Sequence, residues 1–265
     1  MAVSIEKKYQ KLTDTEHVLL RPGMYVGSIK PHTEEVFLPM KGKDQFQLTE
    51  VTYNPGFLKL FDEIVSNSVD EHKRNAKLNK VKVDIDMATG QISIWDNGGI
   101  PVKIHKEYDE WVPEMIFSNL KAGSNFDDTE DRVVVGTNGV GSTLTNIFSK
   151  EFIIETCDGK KQFVQTFKNN MSERSKAKIT NKKTAFTKIT YLTDFERFGL
   201  KGINKNHYLM ITKRLIDIAA CNPTLKIFLN DKPIAFRTFK DYASRYVTPV
   251  FYDQSEHWKI GIGHS

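Results

Sequence analysis

The chain has 265 residues, which exceeds the usual size of one compact domain and allows either one large α/β unit or one domain with part of another. Hydrophobic residues make up 39% and charged residues 27%, and this ordinary globular composition excludes an intrinsically disordered chain. The formal net charge of +5 is compatible with acidic partners such as nucleotides or DNA, although many proteins of the cytosol are equally basic.

The cysteines and the N-terminal residues indicate the cellular compartment of the protein. Cys157 and Cys221 are far apart and belong to no CxxC or Cys/His cluster, so we expect reduced thiols and neither a zinc site nor a disulfide framework. The first ten residues carry Glu6, Lys7 and Lys8 where a signal peptide would be apolar, and no window approaches eighteen consecutive apolar residues. The sequence therefore predicts a soluble, intracellular protein without a membrane partner.

A long amphipathic helix is predicted from Pro55 to about Lys77. Its apolar side is formed by Phe57, Leu58, Phe61, Ile64, Val65 and Val69. Its opposite face gathers Glu63, Asn67, Asp70 and Glu71 into one polar surface. A carboxylate there is suited to act as general base on a water, and an asparagine carbonyl one turn away offers a hard oxygen ligand to Mg²⁺. The alternative is a solvated helix face, which is the commoner case for this pattern alone.

A β-hairpin follows the helix. Alternating apolar residues from Val81 to Met87, a turn at Thr89-Gly90, and an extended segment to Trp95 indicate its two strands. The sequence Asp96-Asn97-Gly98-Gly99-Ile100-Pro101 then places a carboxylate beside paired glycines that let a ligand approach the backbone closely. Such an aspartate is suited to accept from an adenine amino group, but the same composition is equally typical of a structural turn.

A short helix is predicted from Pro113 to a stop near Gly123, and a polar surface loop from 124 to 132. The segment from Gly136 to Gly141 then enters a helix at 142–148, an arrangement that directs N–H groups at phosphate. Leu144 excludes the Rossmann pattern and Ser142 occupies the lysine position of the Walker A pattern, so an ordinary P-loop ATPase is excluded.

The rest of the chain alternates strands with one long helix. Strands are predicted at 151–156, 162–167, 186–192 and 224–230, a helix at about 206–220, and a basic loop at 172–183. These elements favour a layered α/β sandwich with a largely antiparallel or mixed sheet. A new pattern starts after Tyr246 with Trp258, Ile260 and Ile262, which indicates the start of a second domain.

The order of helix carboxylate and asparagine, Asp-x-Gly-Gly, and glycine loop before a helix resembles the GHKL ATPases, which include gyrase-type topoisomerases, Hsp90, MutL and sensor histidine kinases. Residues 6–28 (EKKYQKLTDTEHVLLRPGMYVGS) are similar to the N-terminal strap and entry segment of type II topoisomerases. The likeness continues through DEIVSNSVDE (62–71), WVPEMIFSNLKAGSNFDD (111–128), VGTNGVGSTLTNIFS (135–149) and TKITYLTDF (187–195). NGVGSTLTNIFS resembles bacteriophage enzymes, and other segments resemble eukaryotic ones. The resemblance implies the GHKL (Bergerat) fold, an α/β (α+β) two-layer sandwich with a mixed, mostly antiparallel sheet and helices on one face.

The resemblance also implies roles for single residues, with ATP and Mg²⁺ as cofactors. Glu63 would be the catalytic base that polarises the attacking water, Asn67 the Mg²⁺ ligand, and Asp96 the acceptor for the adenine amino group. The implied nucleotide-binding residues are Tyr9, Asn67, Asp96, Ile100, Phe117, Ser124, Asn125, Gly136, Asn138, Gly139, Val140, Gly141, Ser142 and Thr187. In this set Ile100 and Phe117 would line the pocket of the adenine ring, and Thr187 would support the adenine contact through water. Ser124 and Asn125 would contact ribose or phosphate, and residues 138–142 would hold the phosphates. Tyr9 would reach the nucleotide of a dimer partner.

The chain departs from the family pattern in two places. The family motif reads Asp-x-Gly-x-Gly-Ile-Pro, and this chain is one residue shorter between Asp96 and Pro101. Eukaryotic relatives carry arginine and lysine around the glycine loop where this chain has Thr137 and Thr143. In the family a lysine of the following transducer domain contacts the γ-phosphate, and we expect feeble hydrolysis without that domain.

The resemblance also implies how the chain divides into domains and what its function is. We expect a strap and entry segment at 1–28, the ATPase domain at 29–245 and the start of a truncated transducer domain at 246–265. The chain would be the ATP-hydrolysing domain of a type II topoisomerase, a gate that dimerises on ATP binding while other domains or subunits handle double-stranded DNA. A phage-encoded chain would lie in the host cytoplasm. The alternatives are a MutL-like or chaperone-like ATPase, or a non-enzymatic nucleic-acid-binding module that uses the basic segment at 172–183.

Overall fold

The computed structural model describes residues 5–123, 139–236, 238–255 and 258–264. The helices are α1 (Ile5–Lys8), α2 (Asp14–Leu20), α3 (Pro55–Arg74), α4 (Val112–Ser118), α5 (Gly141–Ile147), α6 (Lys205–Cys221) and α7 (Phe239–Ala243). The strands are β1 (His32–Leu38), β2 (Gln47–Tyr53), β3 (Lys80–Ile85), β4 (Gln91–Asp96), β5 (Ile104–His105), β6 (Glu110–Trp111), β7 (Ser149–Cys157), β8 (Lys161–Lys168), β9 (Glu173–Arg174), β10 (Lys178–Asn181), β11 (Phe186–Thr193), β12 (Lys226–Leu229), β13 (Lys232–Ile234), β14 (Thr248–Gln254) and β15 (Lys259–His264). Single 3-10 turns lie at Pro22–Met24 and Phe195–Phe198.

One mixed, mostly antiparallel sheet organises the fold. Its strands run in the order β10-β8-β7-β11-β4-β3-β12-β13, with β9 paired to β8. The pairing of β12 with β3 is parallel, as expected when α6 lies between them in the chain path, and the other described pairs of this sheet are antiparallel. The expectation of an α/β sandwich with this type of sheet is confirmed.

The core lies between the sheet and the helices α3, α4, α5 and α6. On β3, Val81, Val83 and Ile85 are buried, whereas Lys82 and Asp84 between them are more exposed. A similar period-2 alternation occurs on β8 and along most of β7, which shows that one face of the sheet is covered. Burying one such aliphatic side chain contributes roughly 1.5–3 kcal/mol.

Helix α3 forms because its ends are capped and one side is apolar. Asn54 accepts from the backbone N–H of Phe57 at 3.0 Å, and Pro55 occupies the first helical position, where it loses no intrahelical hydrogen bond. The buried side includes Leu60 in addition to the positions expected from the sequence, whereas Leu58 is only half-buried. The helix ends at Arg74, earlier than the predicted limit of about Lys77, because Asn75 turns into an extended conformation.

The segment 172–183 was predicted to be a loop, and this prediction was wrong. Lys178–Asn181 form β10 against β8, and Glu173–Arg174 form the short strand β9 beside the same strand. The backbone of a polar, lysine-rich segment satisfies its hydrogen bonds at the sheet edge, where exposed charges are typical because they discourage pairing with another chain. β10 therefore ends the sheet on one side.

The C-terminal segment forms a separate hairpin. β14 and β15 pair antiparallel and carry exposed apolar side chains, with Phe251 54%, Trp258 50% and Ile262 53% exposed. The position of this hairpin is consistent with the pattern change expected after Tyr246. Within the described ranges, the helices are too short or too polar to span a bilayer.

Candidate functional site

Glu63 lies in the middle of α3 with 21% of its side chain exposed. Its Oε1 is 2.5 Å from the ammonium of Lys59, one turn earlier on the same helix. Its Oε2 lies against the first residue of α5, because a Cβ placed on Gly141 would overlap this oxygen. A side chain at position 141 would therefore displace the carboxylate. The structure thus brings the predicted base to the described end of the glycine segment, as the sequence proposal requires.

Asn67 lies one turn after Glu63, and its side chain is exposed. The i, i+4 spacing places both on one side of the helix. Asp70, however, is only 2% exposed, so the predicted single polar surface of four residues was wrong. Helix α3 contacts α5, α6 and β4, so it is covered on more than one side.

Asp96 ends β4 and is only 7% exposed. Its Oδ2 accepts from the Ser68 hydroxyl at 2.7 Å, and its Oδ1 accepts from the backbone N–H of Gly98 at 2.9 Å. Burial raises the pKa of Asp96 to about 6, although the hydrogen bonds from Ser68 and Gly98 act in the opposite direction. At neutral pH the group is an ionised, buried acceptor for the Ser68 hydroxyl and for the backbone N–H groups of Gly98 and Thr187.

The shortened loop after Asp96 is held by side chain to backbone hydrogen bonds. The side-chain carbonyl of Asn97 accepts hydrogen bonds from the backbone N–H groups of Asn79 and Lys80, at 3.0 and 2.9 Å. Gly99 lies against the backbone carbonyl of Cys157 so closely that a Cβ there would overlap it. Because the neighbour is backbone and cannot move away, this position requires glycine. The loop after Asp96 therefore follows one defined path at Asn97 and Gly99.

Thr187 lies directly opposite Asp96 in the register of β11 with β4. Its hydroxyl is 3.0 Å from that of Thr156, which in turn donates to the carbonyl of Phe186 at 3.0 Å. Thr156 also accepts from the backbone N–H of Ile100 at 3.1 Å. The hydroxyls of Thr187 and Thr156 therefore connect β11 and β7 to the loop that follows Asp96.

Phe117 and Ile100 have different surroundings. Phe117 is 4% exposed, its ring centroid lies 6.0 Å from that of Phe152, and its carbonyl accepts from Asn146 at 2.9 Å. Ile100 is half-buried and packs on the main core. Phe117 is thus a core residue of α4, and its predicted contact with a purine stays a prediction.

The described part of the glycine segment begins at Gly139, which has a φ of +61° and therefore uses the left-handed conformation that favours glycine. Val140 precedes α5, which has no side-chain cap. The hydroxyl of Ser142 donates to the carbonyl of Ile116 at 3.1 Å, so this side chain fastens α5 to α4. Four further predicted site residues lie outside the described residues, namely Ser124, Asn125, Gly136 and Asn138.

Tyr9 does not reach the site in a single chain. It follows α1 and is 69% exposed, with the ammonium of Lys8 5.5 Å from its ring centroid. Exposure is the condition that a contact with a second protomer would require. Its predicted role therefore stays a prediction.

Sequence reasoning missed three residues that hold the predicted site residues: Lys59, Ser68 and Thr156. Lys59 could have been found from the Lys-x-x-x-Glu spacing, which is a recognised helix ion pair. Ser68 carries a weaker signal, a hydroxyl on the buried side of an amphipathic helix, which requires a partner. Thr156 has no sequence signal, because its partners come from three separate segments.

Cavities also occur that the predicted site residues do not line. One of about 410 Å³ lies between α3 and α6 and is lined by Leu58, Lys59, Asp62, Ile211 and Arg214 among others. Its volume lies in the range of small-molecule sites, but Asp62 and Arg214 in its wall are already paired at 2.5 Å. The predicted base Glu63 and the predicted adenine acceptor Asp96 do not line this cavity. In the described part of the chain, no three His, Cys, Asp or Glu side chains form a metal cluster.

Comparison with known proteins identifies the family. No protein-family model matches the chain. The chain is 43% identical over 274 residues to DNA topoisomerase 2 of Acanthamoeba polyphaga mimivirus, covering 98% of this chain and 22% of that protein. It is 42% identical over 259 residues to the Arabidopsis thaliana DNA topoisomerase 2, covering 96% of this chain and 17% of that protein. The chain thus spans about a fifth of the length of these relatives.

Solved structures agree with the sequence relatives. The ATPase region of Saccharomyces cerevisiae topoisomerase II superposes with a TM-score of 0.90 at 35% identity, with 95% of this chain and 69% of that chain covered. The ATPase and transducer domains of topoisomerase II from Balamuthia mandrillaris give 0.91 at 37% identity, with 95% and 67% covered. The gyrase B ATPase domain of Thermus thermophilus, at 21% identity and a TM-score of 0.61, covers 87% of this chain and 53% of that one and shows the shared GHKL fold.

This likeness decides against a MutL-like or chaperone-like ATPase, because identity and coverage extend over the strap and entry segment as well as the nucleotide site. At 35% identity over 69% of the yeast ATPase region, the chain belongs to the ATPase-domain family of type II DNA topoisomerases.

Proposed function

We propose that the chain binds ATP with Mg²⁺ and hydrolyses it, with Glu63 as the base that polarises the attacking water. The observation that supports this most directly is the contact of the Glu63 carboxylate with Gly141 at the start of α5. A base must lie beside the phosphate that is attacked, and glycine-rich backbone before a helix is suited to hold phosphate. One carboxylate oxygen is held by Lys59, so the other has a fixed position near the glycine segment.

The residues at the two ends of the site fit the nucleotide in different ways. At one end, Asp96 is an ionised acceptor in a buried setting and suits the adenine amino group, with Thr187 beside it. At the other end, Asn67 would offer its carbonyl oxygen to Mg²⁺, a ligand type this ion prefers. The bound ion would neutralise phosphate charge. The remaining contacts are proposed for Ile100, Phe117, Ser124, Asn125, Gly136, Asn138, Gly139, Val140, Gly141 and Ser142.

A second copy of the chain is the proposed partner on ATP binding. The N-terminal segment carries several apolar side chains that its own chain leaves exposed: Ile5 72%, Tyr9 69%, Leu20 57% and Met24 74%. Exposed apolar groups concentrated in one segment are typical of an interaction surface. In this arrangement 1–28 is the strap, 29–245 the ATPase domain and 246–265 the start of the transducer domain, and Tyr9 reaches the partner's nucleotide.

The cellular role follows from the family. We propose that closure of two such domains forms an ATP-dependent gate for the passage of a DNA duplex, while other domains or subunits of the enzyme cleave and rejoin DNA. A phage or other viral source is proposed from the bacteriophage-like glycine segment and is supported by the mimivirus relative. The cytoplasm of the infected cell is then the proposed location.

The test separates binding from turnover. A non-hydrolysable ATP analogue with Mg²⁺, at 100 times its Kd, should add roughly 2.7 kcal/mol to the free energy of unfolding. Glu63→Ala should keep this stabilisation, and in a version extended through the transducer domain, where turnover is measured, it should lose turnover. The matched control is Glu151→Ala, which removes a carboxylate paired with Lys168 at 3.4 Å on the sheet and should leave turnover unchanged. Equal turnover of Glu63→Ala and the wild type would remove Glu63 from its role.

A further inference from the structure

Four lysines converge at one end of the sheet edge. In the register of β10 with β8, Asn181 lies opposite Lys161, and the backbone N–H of Lys182 donates to the carbonyl of Lys160 at 3.1 Å. The turn before β8 and the segment after β10 are therefore side by side. We call the four exposed side chains at this place the lysine corner: Lys160, Lys161, Lys182 and Lys183.

The lysine corner differs from other basic groups on the same sheet. No ion pair joins its four ammonium groups to a carboxylate in residues 5–123, 139–236, 238–255 or 258–264. By contrast, Lys168 and Lys82 are paired with carboxylates, at 3.4 Å and 3.1 Å. Lys182 also lies over the ring of Phe186, with 4.5 Å to the ring centroid, which fixes its direction without neutralising it.

One carboxylate lies close by. Asp158 accepts from the backbone N–H groups of Lys160 and Lys161, at 2.9 and 2.8 Å, and from that of Val102 at 3.2 Å. Its charge lowers the local positive charge by one, but its oxygens are already engaged with backbone donors. Four ammonium groups against one carboxylate leave an excess of positive charge at this edge.

The two strands and the turn that carry these lysines present no exposed apolar side chain. Within 159–185, no large apolar side chain is among the exposed ones. A protein interface of ordinary affinity requires buried aromatic or aliphatic contacts at its centre, whereas the DNA backbone is bound through charge and polar contacts alone. Charge without an apolar contact favours a polyphosphate over an acidic peptide.

We propose that the lysine corner binds the sugar–phosphate backbone of duplex DNA, independently of sequence. The choice of DNA as partner rests on the proposed function, but the site and its test do not depend on nucleotide binding. Each lysine would neutralise about one phosphate and release its counterions. The corner adjoins the loop after Asp96, because Asp158 contacts Val102 and the Cys157 carbonyl contacts Gly99. DNA binding is therefore measured with and without a nucleotide analogue.

The experiment measures the salt dependence of DNA binding by the 265-residue chain. Binding of a fluorescent duplex of mixed sequence is followed by anisotropy between about 50 and 200 mM KCl. With four phosphates engaged, log K should fall with log salt at a slope of about −3.6. Lys161→Gln with Lys183→Gln should reduce this slope by about 1.8 and weaken binding at low salt. Equal thermal midpoints would show that both proteins are folded.

The matched control removes two charges from lysines that already have carboxylate partners. Lys82→Gln with Lys168→Gln changes the net charge by the same amount and should leave the slope unchanged. An unchanged slope in the corner variant, or an equal loss in the control, would overturn the proposal. So would tighter, corner-dependent binding of polyglutamate than of DNA. If the ATP analogue fails to stabilise the chain but the corner variant still loses DNA binding, the proposed ATPase function fails and the DNA site stands.

Discussion

Replacing Asp96 by asparagine should stabilise the protein at neutral pH while it weakens nucleotide binding. Asparagine has the shape of the protonated acid and carries no charge. Burial raises the pKa of Asp96 to about 6 from the ordinary 3.8, so the folded state resists ionisation of this group. At about 1.4 kcal/mol per pKa unit, the ionised carboxylate costs about 3 kcal/mol of folding stability above pH 6. This value is an upper estimate for the gain in Asp96→Asn.

The sign of the pH dependence follows from linkage. The folded pKa of Asp96 lies above the unfolded one, so its favourable contribution is complete below pH 3.8 and is lost as the pH rises to about 6. The difference between Asp96→Asn and the wild type should therefore be near zero at pH 3.8 and reach its maximum at pH 7 and above. For a domain of this size, about 3 kcal/mol corresponds to a rise in Tm of roughly 6–12 °C.

The assay is urea unfolding of both proteins at several pH values between 4 and 8, with the ATP analogue added in a parallel series. A charged hydrogen bond contributes roughly 1.5–3 kcal/mol, so the variant should bind the analogue roughly 10- to 150-fold more weakly. If Asp96→Asn is no more stable than the wild type at pH 8, or if its advantage persists unchanged at pH 4, the assignment of a buried, ionised acceptor is wrong.

Two further substitutions test the other contacts of α3. Gly141→Ala should reduce turnover at least tenfold with little change in stability, because its Cβ would displace the flexible end of Glu63. Steady-state kinetics beside the control Glu151→Ala check this, and an unchanged kcat would contradict the contact. His207→Gln should remove an acid sensitivity, because burial lowers the pKa of His207 to about 4 from the ordinary 6.5. The folded state resists this proton, so wild-type stability falls by up to about 3 kcal/mol as the pH drops from 6.5 to about 4. The free energy of unfolding of both proteins is measured at pH 7.5 and 4.5. If it falls by the same amount in His207→Gln as in the wild type, His207 is not the source of the acid sensitivity.

The titrations of Asp96 and His207 act in opposite directions over overlapping pH ranges. On acidification, protonation of Asp96 adds stability, and the resistance of His207 to protonation removes it. Their sum in the wild type changes little between pH 6 and 4. Asp96→Asn should therefore be more sensitive to acid than the wild type, although it is more stable at neutral pH.

The sequence predicted the elements that carry their own signals. The helix with Glu63 and Asn67 was found from its apolar period and Pro55, and the hairpin before Asp96 from its alternation and Gly90. Family resemblance supplied the roles of these residues. Local patterns and family motifs are both read along the chain. They therefore placed individual segments well but did not give the distances between segments.

What the sequence did not predict depends on contacts between segments. Asp70 is buried although it lies on the face opposite the apolar residues, and α3 contacts α5, α6 and β4, which a single-helix projection cannot show. β10 forms because β8 offers backbone partners to a polar segment, and polar composition alone was read as a loop. The Ser68 contact with Asp96 joins residues 28 positions apart. In each case tertiary context overrides the local pattern.

Helix α3 fixes the separation of the two ends of the site. Glu63 and Ser68 are five residues apart, which is about 7.5 Å along a rigid helix, and Ser68 holds Asp96 at 2.7 Å. The helix itself is fastened at Asn54, whose backbone N–H donates to His207 at 3.0 Å and whose amide donates to the carbonyl of Phe198 at 3.0 Å. A shift of α3 would thus move the base and the adenine acceptor together and change turnover and affinity at once. Gly141→Ala displaces only the Glu63 side chain, so it should lower turnover while affinity stays the same, and that separation distinguishes local geometry from movement of the helix.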